Sequence, residues 1–373
     1  MTDIRRTPLY EAHKKLGAKL IDFGGWWMPV SYGTGPGTGI LDEHRTTRTA
    51  VGVFDVCHMG EVHFRGARAG EAVQRLVTND VSRLVDGAAM YTVACWPTGG
   101  IVDDLIVYRV SAEHYLIVVN AANVDKDVRW FKENVGSWCD IVDASGDTGL
   151  IAFQGPKAEA ALQPLTKVPL ASLGRMKFVA ERDVAAVPAW IARTGYTAED
   201  GFEIFCRASE AATLWDRLIE AAATVGGKPV GLGARDTLRL EGKLSLYGND
   251  LNDETTPLEA DLAWVVKLDT GADFIGKDAL LAQRAAGVTR KLVGFEMTER
   301  GIARHGYAIF DEAGTKQLGE VTSGGPAPTL EKNVGLGYVP VGLSVPGTRL
   351  QIDCRGKRVA AVVVKGPFYK RGQ

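Results

Sequence analysis

Gly99-Gly100-Ile101-Val102-Asp103-Asp104-Leu105-Ile106-Val107-Tyr108 reads as a strand, opened by a Gly-Gly turn signal and built from β-branched and apolar residues. Two adjacent carboxylates interrupt it. Successive strand side chains point to opposite faces, so Asp103 and Asp104 face opposite ways. Both faces of the run are largely apolar, so at least one carboxylate is expected to be partly buried. That is costly unless the carboxylate is paired or hydrogen-bonded. Such a residue is either structural, capping a turn or pairing with an arginine, or placed for ligand recognition or chemistry.

Working outward, two regions share one pattern of strand, helix and further strands. The first has strands at 60–64, 90–96, 101–110 and 115–119, with helices at 71–77 and 123–135. The second has strands at 148–153, near Phe178, at 189–192 and 203–206, with helices at 157–165 and 211–223. Short links between mixed elements argue for an α+β fold. Upstream, 7–20 is expected as a helix, with Thr7 as N-cap and Pro8 at its first position. Residues 22–29, glycines beside aromatics, read as an ordered loop. Residues 33–39 superficially suggest a dinucleotide loop, but no strand precedes them and Pro36 breaks the pattern, so a flexible loop is expected. Residues 40–49 read as a helix and 51–56 as a strand.

From about Lys291 strands dominate, at 292–296, 307–310, 319–321, 334–339, 349–352 and 359–365, punctuated by Gly and Pro. This texture predicts a small antiparallel β barrel or sandwich. The expected division is 1–286 and 287–373, after a helix at 277–286.

The net charge of −2 gives no electrostatic reason for a nucleic-acid or anionic-membrane partner. The five cysteines, Cys57, Cys95, Cys139, Cys206 and Cys354, form no Cys-x-x-Cys pair, which argues against a disulfide framework or a zinc site. Reduced thiols suit a cytosolic-type compartment. No apolar run approaches the roughly 18 residues of a membrane span. Residues 1–6 lack a signal-peptide core, so a cytoplasmic location is expected, a mature mitochondrial form remaining open.

Three other segments carry candidate chemistry. In 193–203, Glu203 opens the apolar strand Ile204-Phe205-Cys206. There it could accept two parallel hydrogen bonds from an amino-amidine edge, as of a pterin or guanine, or pair with an arginine. In 231–241, Arg235 and Arg239 share a helical face and could hold a carboxylate, or pair with Asp236 or Glu241. His58 could be a base or a hydrogen-bonded structural residue. No serine-hydrolase elbow, P-loop or zinc-protease motif is present.

Taken together the chain resembles the aminomethyltransferases, or T-proteins, of the glycine cleavage system. The blocks that carry the resemblance are Asp22-Phe-Gly-Gly-Trp26, Phe54-Asp-Val-Cys-His-Met-Gly-Glu61, Gly99-Gly-Ile-Val-Asp-Asp104 and Val119-Asn-Ala-Ala-Asn123. Further blocks are Phe153-Gln-Gly-Pro156, 193–203, Gly231-Leu-Gly-Ala-Arg-Asp236, Leu246-Tyr-Gly248 and Leu262-Ala-Trp-Val-Val-Lys267. They run through essentially the whole chain.

The resemblance implies two interleaved ferredoxin-like α+β subdomains plus the C-terminal antiparallel barrel, arranged around a central tetrahydrofolate site. It implies transfer of an aminomethyl group from the lipoyl arm of the H-protein to tetrahydrofolate. The products are 5,10-methylenetetrahydrofolate, ammonia and dihydrolipoyl H-protein. No metal or nicotinamide, nucleic acid or membrane enters. By the same resemblance Asp104 is the catalytic carboxylate. Glu203 binds the pterin, Arg235 binds folate, and Tyr91, Asn120, Tyr196 and Trp264 neighbour it. Tyr369 or Arg371 closes the site. Two departures are Cys57, where the family usually has Ser, and the longer, glycine-rich 33–39 loop. The nearest alternatives are a related folate-dependent demethylase and a non-catalytic folate-binding protein.

Overall fold

The computed structural model describes residues 4–33, 35 and 38–372. Thr34, Pro36 and Gly37, on which the flexible-loop expectation partly rests, lie outside the described residues, as do Met1–Asp3 of the signal-peptide reading. The chain divides into two compact units, one of Met1–Val73, Val81–Met90 and Leu105–Asp236, the other of Gln74–Asp80, Tyr91–Asp104 and Thr237–Gln373.

The first unit contains a six-stranded sheet in the order Phe178–Val184, Val187–Ala192, Gly201–Arg207, Thr148–Gln154, Gly52–Asp55, Lys228–Pro229. Its pairings are antiparallel except the last, where Lys228–Pro229 runs parallel to Gly52–Val53. The helix Ala211–Ala223 buries Ala211, Leu214, Trp215, Leu218 and Ala222, the three- and four-residue spacing that makes one apolar stripe. That stripe joins Val53, Ile151, Phe153, Phe202 and Ile204 in one core cluster. Burying a side chain such as Leu214 or Leu218 stabilises the fold by roughly 1.5–3 kcal/mol.

A five-stranded sheet follows the order Ala88–Cys95, Ile101–Ser111, His114–Val119, Gly60–Arg65, Asp140–Asp143. The two sheets express the shared sequence pattern. In each, the strand before the first helix lies inside, and the strands after that helix stack in sequence on one side of it. The six-stranded sheet differs by admitting Gly52–Asp55 beside that inner strand, the place that Asp140–Asp143 takes in the five-stranded one.

The amino-terminal expectations need correction. The helix is only Tyr10–Lys15, and Thr7 does not cap it. The Thr7 hydroxyl instead donates to Asp55 Oδ2 at 2.7 Å, and the same carboxylate meets His13 Nε2 at 2.8 Å. Gly17, at φ +68°, then turns the chain into the strand Ala18–Phe23. The expected loop at 22–29 is largely strand. Ala18–Phe23 and Trp26–Tyr32 form a hairpin through Gly24–Gly25, and Arg5–Arg6 adds a third strand. Most residues of the two longer strands are only half buried, so no alternation marks a core face there.

In the second unit the predicted barrel is closed. Its order is Arg290–Met297, Lys332–Pro340, Gln317–Ala327, Ala308–Phe310, Arg349–Cys354, Lys357–Val364, all antiparallel. Val359, Ala361 and Val363 of the last strand are buried in alternation, the period of a sheet with one face inward. They meet Phe295, Ile309 and Ile352 in the barrel core. A separate cluster packs Val93, Cys95 and Ile101 with Val265, Phe274 and Leu280 of this unit. That cluster anchors the strand on which Asp104 sits.

All five cysteines are free. Cys57 is buried, and its Sγ exchanges hydrogen bonds with the Leu150 carbonyl at 3.2 Å and amide at 3.3 Å. A serine hydroxyl could make the same pair, so this departure is structural. Among the described residues no helix is long and apolar enough to cross a membrane.

Candidate active site

The strand Ile101–Ser111 presents its two carboxylates on opposite faces, as strand geometry requires. Asp103 is fully buried, whereas Asp104 keeps part of its surface. The Tyr91 hydroxyl, on the preceding strand, donates to Asp104 Oδ2 at 3.0 Å. The Tyr91 ring stacks on Trp264 at 5.8 Å between centroids and 24° between planes. Trp264 is 61% exposed, an uncommon position for a tryptophan. The second unit therefore gathers Asp104, Tyr91 and Trp264 into one cluster: a carboxylate, a phenol that orients it, and an exposed aromatic face.

Tyr369 and Arg371 belong to the chain's carboxyl-terminal segment. The Tyr369 amide donates to the Glu241 carbonyl at 2.8 Å, and Phe368 packs on an apolar group that includes Leu240 and Leu336. The Glu241 carboxylate is fully buried and takes the Thr329 amide and hydroxyl, each at 2.8 Å. The carboxyl-terminal segment is thus fixed as far as Tyr369, while Arg371 is exposed.

The first unit gathers Glu203, Arg235 and Tyr196. Glu203 pairs in register with Ala152 on one neighbouring strand and Ala192 on the other. Directly paired residues share a sheet face, so two small side chains flank the carboxylate. Thr194 Oγ1 donates to Glu203 Oε2, and the buried Tyr108 hydroxyl lies 3.3 Å from the same Thr194 oxygen. Burial raises the Glu203 pKa above the usual carboxylate value, while the Thr194 hydrogen bond and the Arg235 charge pull it back. The Arg235 guanidinium stands 4.7 Å over the Tyr196 ring, a cation–π arrangement.

Glu61 and His58 are further buried polar residues of this unit. Glu61 is buried, neither carboxyl oxygen has a hydrogen-bond partner among the described residues, and burial, then Asp143 and Glu203, push its pKa well up. His58 is buried, and its Nδ1 has no hydrogen-bond partner among the described residues. Burial and the Arg235 charge push its pKa down to about 4. A buried imidazole held neutral favours the structural reading of His58 over the catalytic one. Asn120 follows the strand His114–Val119 and starts the turn Ala121–Asn123, its carbonyl taking the Asn123 amide at 2.9 Å.

The two arginines of the helix Leu232–Glu241 differ in role. Arg239 is buried and spends its guanidinium on Asp250 and Ser323, both at 2.8 Å. Its carboxylate is internal. Thr194 and Tyr108 were missed as partners of Glu203, although both lie in segments read as informative. Among the described residues no group of three or more His, Cys, Asp or Glu is placed to hold a metal ion.

Two family models cover the chain. The GCVT N-terminal domain matches residues 9–270, and the glycine cleavage T-protein C-terminal barrel domain matches residues 290–370. The chain belongs to the glycine cleavage T-protein family. It is 48% identical to the aminomethyltransferase of Bacillus subtilis over 368 residues, covering 99% of this chain and 100% of that one. It is 49% identical to that of Desulfitobacterium hafniense over 372 residues, covering both completely. The crystal structure of the glycine cleavage system aminomethyltransferase T from Bartonella henselae superposes with a TM-score of 0.90 at 35% identity, covering 99% of each chain. The α+β fold with its closed six-stranded barrel is thus the family's.

Proposed function

We propose roles for individual residues in the family's reaction. The chain is a transferase, an aminomethyltransferase of the glycine cleavage system. The family's one-carbon acceptor is tetrahydrofolate, and the proposed donor here is the aminomethylated lipoyl arm of an H-protein. The lipoyl sulfur bears an S-CH2-NH2 group. Loss of that thiolate leaves an iminium-like carbon, which a folate nitrogen attacks. Ammonia departs as the second folate nitrogen closes on the carbon, giving 5,10-methylenetetrahydrofolate and the dihydrolipoyl arm.

The chain's own residues bind, orient and stabilise charge. Glu203 takes the amino-amidine edge of the pterin by two parallel hydrogen bonds, with Ala152 and Ala192 leaving room for a flat ring. Arg235 holds the folate, itself steadied on the Tyr196 ring. Asp104 stabilises the passing positive charge and influences the accompanying proton transfer, in the orientation that Tyr91 imposes. Trp264 and Asn120 are assigned to folate contact, and Tyr369 or Arg371 to closing over it. The division 1–286 and 287–373 is kept as a proposal, supported by family matches that break between residues 270 and 290. A cytoplasmic location is proposed, with no nucleic acid, membrane, metal or nicotinamide involved.

The observation that carries the reading is the difference between neighbours on one strand. Asp103 is sealed inside, whereas Asp104 keeps surface and a tyrosyl donor. The test is turnover with aminomethylated lipoyl H-protein and tetrahydrofolate, following ammonia and methylene-folate together. Equal formation of both, lost in Asp104→Asn, is expected. Folate binding without either product would move the assignment to a demethylase or a non-catalytic folate binder.

A further inference from the structure

Arg48 lies in the last turn of the helix Ile40–Thr49, outside every segment singled out for chemistry. Its side chain is 5% exposed, and it forms an ion pair at 2.9 Å with Glu199, whose side chain is 1% exposed. The same Arg48 nitrogen, Nη1, donates to the Thr197 carbonyl at 2.6 Å. The guanidinium therefore grips the 193–200 loop on both sides of Ala198, which sits in the left-handed region at φ +61°. A non-glycine residue there persists only where its surroundings impose the conformation.

The rest of the loop is tied as tightly. Arg193 bridges Asp200 through Nε at 2.9 Å and Nη2 at 2.5 Å, and reaches Glu159 at 2.8 Å. The buried Gln154 amide donates to the Thr194 carbonyl at 3.0 Å and accepts from the Thr197 hydroxyl at 3.0 Å. Any side chain at Gly195 would collide with that amide. Tyr196 stands between these clamps, and its ring is the platform under Arg235. A buried ion pair seldom adds much net stability against an apolar replacement, so its retention here asks for another reason.

We propose that Arg48 is a positioning residue for folate binding, which sets the 193–200 loop so that Tyr196 holds Arg235 in its binding geometry. The proposal rests on the assignment of Tyr196 and Arg235 to folate. Arg48 touches no substrate and acts through the loop. Both contacts come from Nη1, whose N–H directions the planar guanidinium fixes, and a lysine ammonium on a shorter, freely rotating stem does not reproduce that placement.

The experiment compares Arg48→Lys and the paired neutral variant Arg48→Met/Glu199→Gln with the parent. The paired variant leaves no buried unpaired charge, so it tests the idea even where Arg48→Lys does not fold. In the folded variants KM for tetrahydrofolate is expected to rise between about 10- and 100-fold, the effect of a misplaced binding group. Turnover at saturating folate is expected to stay within about threefold, since the reacting groups are untouched. In a Tyr196→Ala background the Arg48 substitution is expected to add nothing further to KM, because both act through one element. An unchanged folate KM, or full additivity with Tyr196→Ala, makes Arg48 merely structural and overturns the proposal. Tyr196→Ala and Arg235→Ala separate the two layers. If they raise folate KM and the Arg48 variants do not, the folate assignment stands and this inference falls. If neither raises it, both fall.

Discussion

The Tyr91 hydroxyl donates a 3.0 Å hydrogen bond to Asp104 Oδ2 while the Tyr91 ring lies stacked on Trp264. One side chain thus orients the carboxylate and carries the aromatic surface next to it. Asp104→Asn keeps the size and accepts the same tyrosyl hydrogen bond, but removes the charge that stabilises a developing cation. It is expected to leave the melting temperature and folate affinity near those of the parent. Turnover is expected to fall about 10²–10⁴-fold, the range for losing a positioned acid–base group. Near-normal ammonia release would take Asp104 out of the mechanism.

Glu203 has a hydroxyl donor and small residues in register on both sides. Removing it by Glu203→Ala is expected to weaken folate binding by roughly 1.5–3 kcal/mol, the scale of hydrogen bonds to a charged group. Titration of the purified variant with tetrahydrofolate measures this directly. An unaltered dissociation constant would sink the pterin assignment.

Arg235 contributes differently from its neighbour one turn on. Arg239 is locked on Asp250 and Ser323, so Arg239→Ala leaves a buried aspartate uncompensated and is expected to lower stability by roughly 3–5 kcal/mol. Arg235→Ala is expected to weaken folate binding with a much smaller loss of stability. Folate titration and denaturant unfolding of both variants check the contrast. Equal stability losses with equal folate affinity would make both arginines structural.

Much of this was legible beforehand, for identifiable reasons. The barrel strands announce themselves because each has one face inward, so Val359, Ala361 and Val363 alternate with less buried residues. The helix Ala211–Ala223 shows its stripe for the same reason. The hairpin of Ala18–Phe23 and Trp26–Tyr32 was not legible, since most of its residues are only half buried and no alternation marks a core face. The two-residue strand Lys228–Pro229 is too short to carry a pattern. In the site, the strand reading marks Asp103 and Asp104 as a pair, but the family resemblance was needed to choose Asp104. The grip of Arg48 on Thr197 joins residues 149 positions apart, and no local pattern encodes such a contact.

His58 and Glu61 lie three positions apart, are both buried, and load the pH dependence of stability in opposite directions. His58 has its pKa pushed from 6.5 down to about 4 by burial and by Arg235. Between those values the unfolded chain binds a proton that the native state does not. Its contribution is therefore intact above pH 6.5 and is lost as the pH falls toward 4, a change of about 3 kcal/mol. Glu61 has its pKa pushed up from 4.5 by burial, Asp143 and Glu203. Its native state holds the proton, so its contribution is intact below pH 4.5 and declines as the pH rises through the native value. Denaturant unfolding of the parent, His58→Gln and Glu61→Gln across pH 4–8 separates the two. Relative to the parent, His58→Gln is expected to gain stability toward pH 4, and Glu61→Gln toward pH 8. Parallel curves for His58→Gln and the parent would mean that the imidazole takes up its proton in the native state at the same pH as in the unfolded chain. The reading of His58 as a neutral structural residue beside Arg235 would then be wrong.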